Sequence, residues 1–68
     1  MGEMKVMHER QESGVKVELV QLLPNNEFFV RVYDLREDET FETVATSDGK
    51  VAMDMFHHPF AYRLNTAA

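Results

Sequence analysis

Two apolar runs, separated by Pro24-Asn25-Asn26, dominate the middle of the chain. In residues 15–23 and again in residues 28–35, apolar side chains recur at every second position, which is the period of a β-strand. Proline presets φ for an early turn position, and asparagine tolerates the left-handed region of backbone space. The pattern therefore predicts a hairpin of two antiparallel strands joined by a tight turn.

The period of two continues on both sides of this hairpin. Residues 40–45 alternate in the same way and predict a third strand, which follows a charged turn at residues 36–39. Residues 4–10 predict a fourth, weaker strand, with residues 11–14 as the turn into the hairpin. The side chains that alternate in this first strand are Met4, Val6 and His8. Strands that follow one another in this way form an antiparallel meander.

Residues 48–58 fit two different structures, and the choice between them decides the fold class. Asp48-Gly49 between alternating residues is typical of a hairpin turn, which favours another strand. Alanine and methionine favour a helix instead, and five apolar residues fall on one stripe with a period of 3.6 residues. The stripe consists of Val51, Ala52, Met55, Phe56 and Pro59. We expect the helix, with Thr46 or Ser47 as its cap.

The predicted fold is α+β: an antiparallel sheet of three strands, or four if residues 4–10 join it, with one carboxy-terminal helix packed on one face. An all-β meander is the alternative. The 68 residues form one small domain, because a chain of this length has no room for a second core. Residues 1–10 are either the weak first strand or disordered, and residues 65–68 are expected to fray.

Apolar side chains occupy both faces of the predicted sheet, although one helix covers only one face. The side chains expected beneath the helix are Val17, Leu19, Phe28, Val30 and Val32. The opposite face carries Val20, Leu22, Phe29, Arg31 and Tyr33, with Val44 beside them. Aromatic residues anchor most interfaces, so we expect a contact centred on Phe29 and Tyr33, with Arg31 as its polar member. The alternative is that one chain end folds over this face.

Five acidic residues fall close together and carry most of the net charge of -5. They are Asp34, Glu37, Asp38, Glu39 and Glu42. We interpret them as a solvated turn whose charges keep a strand edge from pairing with another chain. The functional alternative is an inhibitor or regulator whose acidic surface occupies a basic, nucleic-acid-binding site on an enzyme.

Residues with catalytic chemistry are few in this chain. The absence of cysteine excludes disulfides, thiol nucleophiles and thiolate metal sites. Asp54, His57 and His58 suggest a metal-dependent hydrolytic activity as a further alternative. Adjacent histidines on a helix point about 100° apart, however, and do not meet at one ion. We therefore expect no catalytic residue, no metal site and no cofactor.

Composition and charge narrow the class of partner. With 12 acidic and 7 basic residues the chain repels phosphates, so we expect no direct binding to nucleic acid or to a membrane.

A core this small seldom contributes more than ~3–5 kcal/mol to the free energy of unfolding without association, which favours a homodimer. The sequence contains no apolar run long enough to indicate a signal peptide or a membrane-spanning segment. The sequence thus predicts a small acidic cytoplasmic interaction module that binds a macromolecule through the sheet face opposite the helix.

Overall fold

The computed structural model describes residues 2–63 of the chain. Its strands are β1 (Glu3–Glu12), β2 (Val15–Leu23), β3 (Glu27–Asp34) and β4 (Glu39–Glu42). A helix, α1 (Gly49–His57), and a 3-10 helix at Pro59–Tyr62 follow the sheet. Neighbouring strands are antiparallel in the order β1-β2-β3-β4, and α1 packs against β2 and β3. The predicted α+β meander with a carboxy-terminal helix on one face is confirmed.

β1 is a ten-residue strand, so the amino-terminal segment joins the sheet as its fourth strand. A two-residue turn, Ser13-Gly14, connects it to β2 and places Glu12 opposite Val15. Both turn residues have positive φ, 52° and 79°, as a tight hairpin of this type requires. A side chain at Gly14 would also be crowded, because its Cβ would lie 2.9 Å from Cγ of Arg36.

A bulge in β1 changes which of its side chains share a face. The register with β2 shifts between Val6 and His8, so that Met7 is the extra residue. The sequence predicts one shared face for Met4, Val6 and His8, and this prediction is wrong for His8. The His8 ring lies on the helix side of the sheet, with its centroid 6.3 Å from that of Phe56.

The central hairpin forms as predicted. β2 has the predicted bounds, and β3 begins and ends one residue earlier than the predicted residues 28–35. The turn between them contains a cis peptide bond before Pro24 and a left-handed Asn26, with φ of 57°. Asparagine is one of the few residue types that adopt the left-handed region readily.

β4 is shorter than the predicted residues 40–45 because its ladder with β3 is interrupted after four residues. The N–H of Thr43 donates to the carbonyl of Val30 at 2.9 Å. The N–H of Val30 donates in return to Oγ1 of Thr43 at 2.9 Å, where a regular ladder has a carbonyl. Thr43 is buried, so its hydroxyl satisfies a donor that water does not reach. The chain returns to β3 at an isolated bridge between Phe28 and Thr46.

The carboxy-terminal segment is helical, and its cap is Asp48. The Asp48 carboxylate accepts from the N–H groups of Lys50 at 2.9 Å and Val51 at 3.4 Å. These donors have no partner within the helix, which is why a short acceptor side chain stabilises its start. The prediction of Thr46 or Ser47 as the cap is wrong. Thr46 Oγ1 accepts instead from the N–H of Asp48 at 3.1 Å, one step earlier in the turn.

The core lies between α1 and one face of the sheet. It consists of Val15, Val17, Leu19, Val30, Val32, Ala52, Met55 and Phe56. Partly buried Phe28, Phe41, Val51 and Tyr62 pack against it. The five sheet residues predicted beneath the helix are therefore confirmed, and so are four of the five residues of the predicted stripe, Val51, Ala52, Met55 and Phe56. The fifth, Pro59, is buried but begins the 3-10 helix and does not belong to α1. Residues 65–68, for which we predict fraying, lie outside the described range.

Candidate interaction surface

The side of the sheet that faces away from α1, here called the open face, carries the residues of the predicted contact. The cross-strand register places on it Val20, Leu22, Phe29, Arg31 and Tyr33, together with Met4 and Val6 of β1. α1 and the 3-10 helix pack on the other side, against the core. Within residues 2–63, no helix or strand lies over the open face.

Exposure differs among the side chains of the open face. Val20 and Phe29 are buried, with 1% and 7% of their surface exposed. Leu22, Arg31 and Tyr33 are half-buried. Val20 and Phe29 therefore lie on the predicted face but add little exposed surface to it, and the Arg31 guanidinium lies over the Phe29 ring.

The exposed apolar surface comes from β1 instead. Met4 and Val6 are 61% and 49% exposed, and they lie opposite Leu22 and Val20. The apolar region of the open face therefore begins at the edge strand and extends to β2. Val44 is exposed as well, but it follows the end of β4 and belongs to no strand.

A row of alternating charges crosses the open face beside this apolar region. It consists of Glu9, Lys16, Glu18, Arg31 and Glu42, which come from all four strands. Lys16 Nζ lies 3.6 Å from Glu9 and 3.7 Å from Glu18. Arg31 lies 3.9 Å from Glu18 and 2.8 Å from Glu42, and its hydrogen bond to Glu42 raises the pKa of the guanidinium above its ordinary value. The buried Glu18 carboxylate thus has a cation on either side.

The acidic stretch does not form one continuous surface. Asp34 is buried, and its carboxylate accepts hydrogen bonds from the backbone and side chain of Arg36 and from the N–H of Glu37. The Arg36 guanidinium is the main reason that the pKa of Asp34 lies below its ordinary value. Two further ion pairs are Glu42 with Arg31 and Glu39 with Arg63. Glu37 and Asp38 remain exposed in the turn before β4.

Asp54, His57 and His58 do not converge on one point. The Asp54 carboxylate accepts a hydrogen bond from the hydroxyl of Tyr62, which raises the pKa of that phenol. The backbone N–H of His58 donates to the carbonyl of Asp54 at 2.8 Å. Within residues 2–63, no three side chains of the types that bind metals are grouped around one position. Asp54 instead connects α1 to the 3-10 helix.

An open cleft of about 510 Å3 lies between the β1–β2 turn and the end of α1. Arg10 and Arg36 line it, and both guanidinium groups make contacts within the chain. Arg10 donates to the carbonyl of Phe56 at 3.0 Å and to the carboxylate of Glu12 at 2.6 Å. Arg36 is paired with Asp34. Arg10 therefore satisfies carbonyls at the carboxyl end of α1, where a cation is favourable.

The contact predicted from the sequence lies on β2 and β3 and does not include Met4 and Val6. The spacing of these two residues indicates a strand, but spacing alone does not show which strand lies beside β2. Pairing with Leu22 and Val20 makes them part of the open face. Their exposure follows from the position of β1 at the edge of the sheet.

Comparison of the chain with protein-family models, with curated proteins and with solved structures found no match. Neither helix within residues 2–63 combines the length and apolar character needed to cross a membrane. The geometry and chemistry of the open face are therefore the basis for a functional assignment.

Proposed function

We propose that the protein is a small, acidic, non-catalytic interaction module of the cytoplasm, which acts as a homodimer and binds a macromolecular partner through the open face. One observation carries the proposal. Met4 and Val6 are exposed beside half-buried Leu22, on a face that no helix or strand of residues 2–63 covers. Contiguous apolar side chains in such a position are typical of a binding surface.

The chemistry of the open face favours a protein as the partner. Its apolar part lies beside a row of charges of both signs, and the chain as a whole has a net charge of -5. Interfaces between proteins combine an apolar centre with a charged rim, which sets orientation and association rate. A nucleic acid would meet net repulsion and would gain little from counterion release. We also place the protein in the cytoplasm, because its core forms without disulfides.

The size of the domain is compatible with such an interface. A stable contact buries about 800 Å2 on each partner. The accessible surface of the chain is 4779 Å2. An interface of this size would use roughly one sixth of it, about the area that one side of a small sheet provides. Association would add stability to a core that is small by itself.

The test compares two lysine substitutions at exposed methionines. Met4→Lys places a charge in the apolar part of the open face, and Met53→Lys places the same charge on α1. In capture experiments from native lysate, we expect proteins that bind the wild type and Met53→Lys but not Met4→Lys. Thermal melts of both variants check that the fold is intact. Equal capture by both variants would show that the open face is not the binding surface.

Salt dependence separates this proposal from the acidic-inhibitor alternative. Contact through an apolar centre should change little between ~50 and 200 mM salt, because desolvated apolar groups are not screened. Contact through the acidic turn should weaken markedly over the same range, and Glu37→Gln with Asp38→Asn should abolish it. Marked weakening by salt, together with loss of binding in the double variant, would show that the partner binds the turn before β4 and not the open face.

A further inference from the structure

The two edges of the sheet differ in length and in the contacts of their side chains. β4 has four residues, and its Phe41 side chain contacts the carboxy-terminal segment. The Phe60 ring contacts Phe41 at a centroid distance of 5.4 Å, and the Arg63 guanidinium lies over Phe41 at 5.0 Å. β1 has ten residues, nine of them exposed, and no strand within residues 2–63 pairs with its outer side. A long uncovered edge is the usual place for a second chain to add.

The hydrogen-bond pattern shows which backbone groups of β1 point outward. The carbonyl of Gly14 accepts from the N–H of Leu35 at 2.9 Å, so even-numbered residues at this end of β2 bond toward β3. Odd-numbered residues of β2 then bond toward β1, where the first partner is Glu12. Because the direction alternates along a strand, the N–H and C=O groups of Gln11 and Glu9 point away from the sheet.

We propose that two copies of the chain pair antiparallel through the outer edges of β1 and form one continuous eight-stranded sheet. This inference rests on the homodimer in the proposed function and specifies its contact. The bulge at Met7 limits the possible registers. Before the bulge the even-numbered side chains of β1 lie on the open face, and after it the odd-numbered side chains do. In a twofold pairing, opposite residues lie on the same face along the whole strand only if residues before the bulge in one copy pair with residues after the bulge in the other. Lys5 then lies opposite either His8 or Arg10 of the second copy.

The charges on β1 select the first of these registers. With Lys5 opposite His8, Glu3 of each copy lies opposite Arg10 of the other, which gives two attractive pairs. With Lys5 opposite Arg10, like charges meet twice. In that second register Glu3 also faces Glu12, which adds two further repulsive pairs. The complementary pattern within one strand is why a second copy is the occupant that fits this edge.

The selected register also covers exposed apolar side chains. Val6 of one copy lies opposite Met7 of the other, on both sides of the twofold axis. These residues are 49% and 39% exposed in the single chain. The open faces of the two copies then join at the axis, so that one dimer presents two copies of the apolar surface side by side.

The main test is Glu9→Pro against Glu9→Ala. In this register the N–H of Glu9 donates to the carbonyl of Met4 in the second copy, and proline removes this donor while keeping the bonds of β1 to β2. Both variants lose the same carboxylate. By sedimentation equilibrium, we expect Glu9→Pro to raise the dimer dissociation constant roughly tenfold or more, since two symmetric hydrogen bonds are lost. Glu9→Ala should stay close to the wild type, and circular dichroism checks that both variants fold.

Cysteine substitution gives a second measurement, which does not depend on tolerance of proline. The chain has no native cysteine, so Met7→Cys near the axis and Met53→Cys on α1 are clean single-site probes. We expect Met7→Cys to form a covalent dimer under mild oxidation much faster than Met53→Cys.

The outcomes separate this inference from the proposed function. A wild-type dimer that survives Glu9→Pro, with no preference for Met7→Cys in cross-linking, overturns the edge contact and leaves the homodimer standing. A wild type that is monomeric at all concentrations overturns both the homodimer and its edge contact. The capture experiment remains a separate test in both cases, because it measures the binding of other proteins to the open face.

Discussion

The guanidinium of Arg31 lies over the ring of Phe29, with its central carbon 5.5 Å from the ring centroid. The same guanidinium is held by Glu42, so the charged row of the open face forms part of the cover over this aromatic ring. Cation–π contact and apolar burial both stabilise such an arrangement. Phe29 and the neighbouring Val20 therefore form a small packed layer on the open face, separate from the core beneath α1.

Phe29→Ala should lower the free energy of unfolding, because the ring is buried on the open face. Removal of a buried phenylalanine side chain costs about 3 kcal/mol or more of unfolding free energy, which is a large part of what a domain of this size has. Urea denaturation measures the loss. The control is Met4→Ala, whose exposed side chain should contribute within about 0.5 kcal/mol. Equal stability of both variants would show that the Phe29 ring is not packed in solution.

Thr43 provides a test of the interrupted ladder between β3 and β4. Thr43→Val preserves the shape of the side chain but leaves the N–H of Val30 without its acceptor. A buried donor without a partner costs about 1–3 kcal/mol, so the free energy of unfolding should fall by that amount. Thr43→Ser keeps the hydroxyl and should lose less. If Thr43→Val is as stable as Thr43→Ser, the hydrogen bond to Val30 contributes nothing.

Asp48→Ala removes the cap of α1. The carboxylate satisfies two N–H groups at the start of the helix, and loss of such a cap typically costs ~1 kcal/mol. Ser47→Ala is the matched control, because Ser47 is exposed and does not cap the helix. Chemical denaturation should therefore rank Ser47→Ala with the wild type and Asp48→Ala below it. If Ser47→Ala were the less stable variant, Ser47 would be the cap, as predicted from the sequence.

The contacts of Asp34 predict a pH-dependent contribution to stability. Hydrogen bonds from Arg36 lower the pKa of Asp34 in the folded state relative to the unfolded state. Its contribution is complete above the unfolded pKa of about 3.9 and is lost as the pH falls toward the folded value. The stability difference between wild type and Asp34→Asn should thus be largest near neutral pH and shrink from about pH 5 downward.

Unfolding titrations at several pH values would measure this difference. Glu37→Gln serves as the control, because the exposed Glu37 side chain lies in the same turn. A difference between wild type and Asp34→Asn that stays constant over the acidic range would mean that the Asp34 carboxylate is not stabilised in the folded state.

Several elements of the fold were predictable because their signals are local. The hairpin follows from alternation on both sides of Pro24 and from asparagine in the turn. The helix follows from the stripe that buries Ala52, Met55 and Phe56, and the same alternation identified the core face of β2 and β3. These patterns arise between residues a few positions apart, where backbone geometry alone sets which side chains share a face.

Other features were not predictable because they depend on pairing between distant segments. The bulge at Met7 moves His8 to the helix side, and it exists only in the register of β1 with β2. The burial of Phe29 depends on its place in the assembled sheet, where Val20 lies opposite it and the Arg31 guanidinium lies over its ring. The cap of α1 depends on where the chain leaves its bridge at Thr46.

Periodicity and turn chemistry were sufficient to specify the strands, the helix and an excess of apolar side chains on the sheet, since each of these is a relation between near neighbours in the chain. Only the assembled sheet decided that β1 supplies the exposed part of that excess and that Phe29 is enclosed. The reason is that solvent exposure depends on which segments lie side by side, and strand pairing brings together residues far apart in sequence.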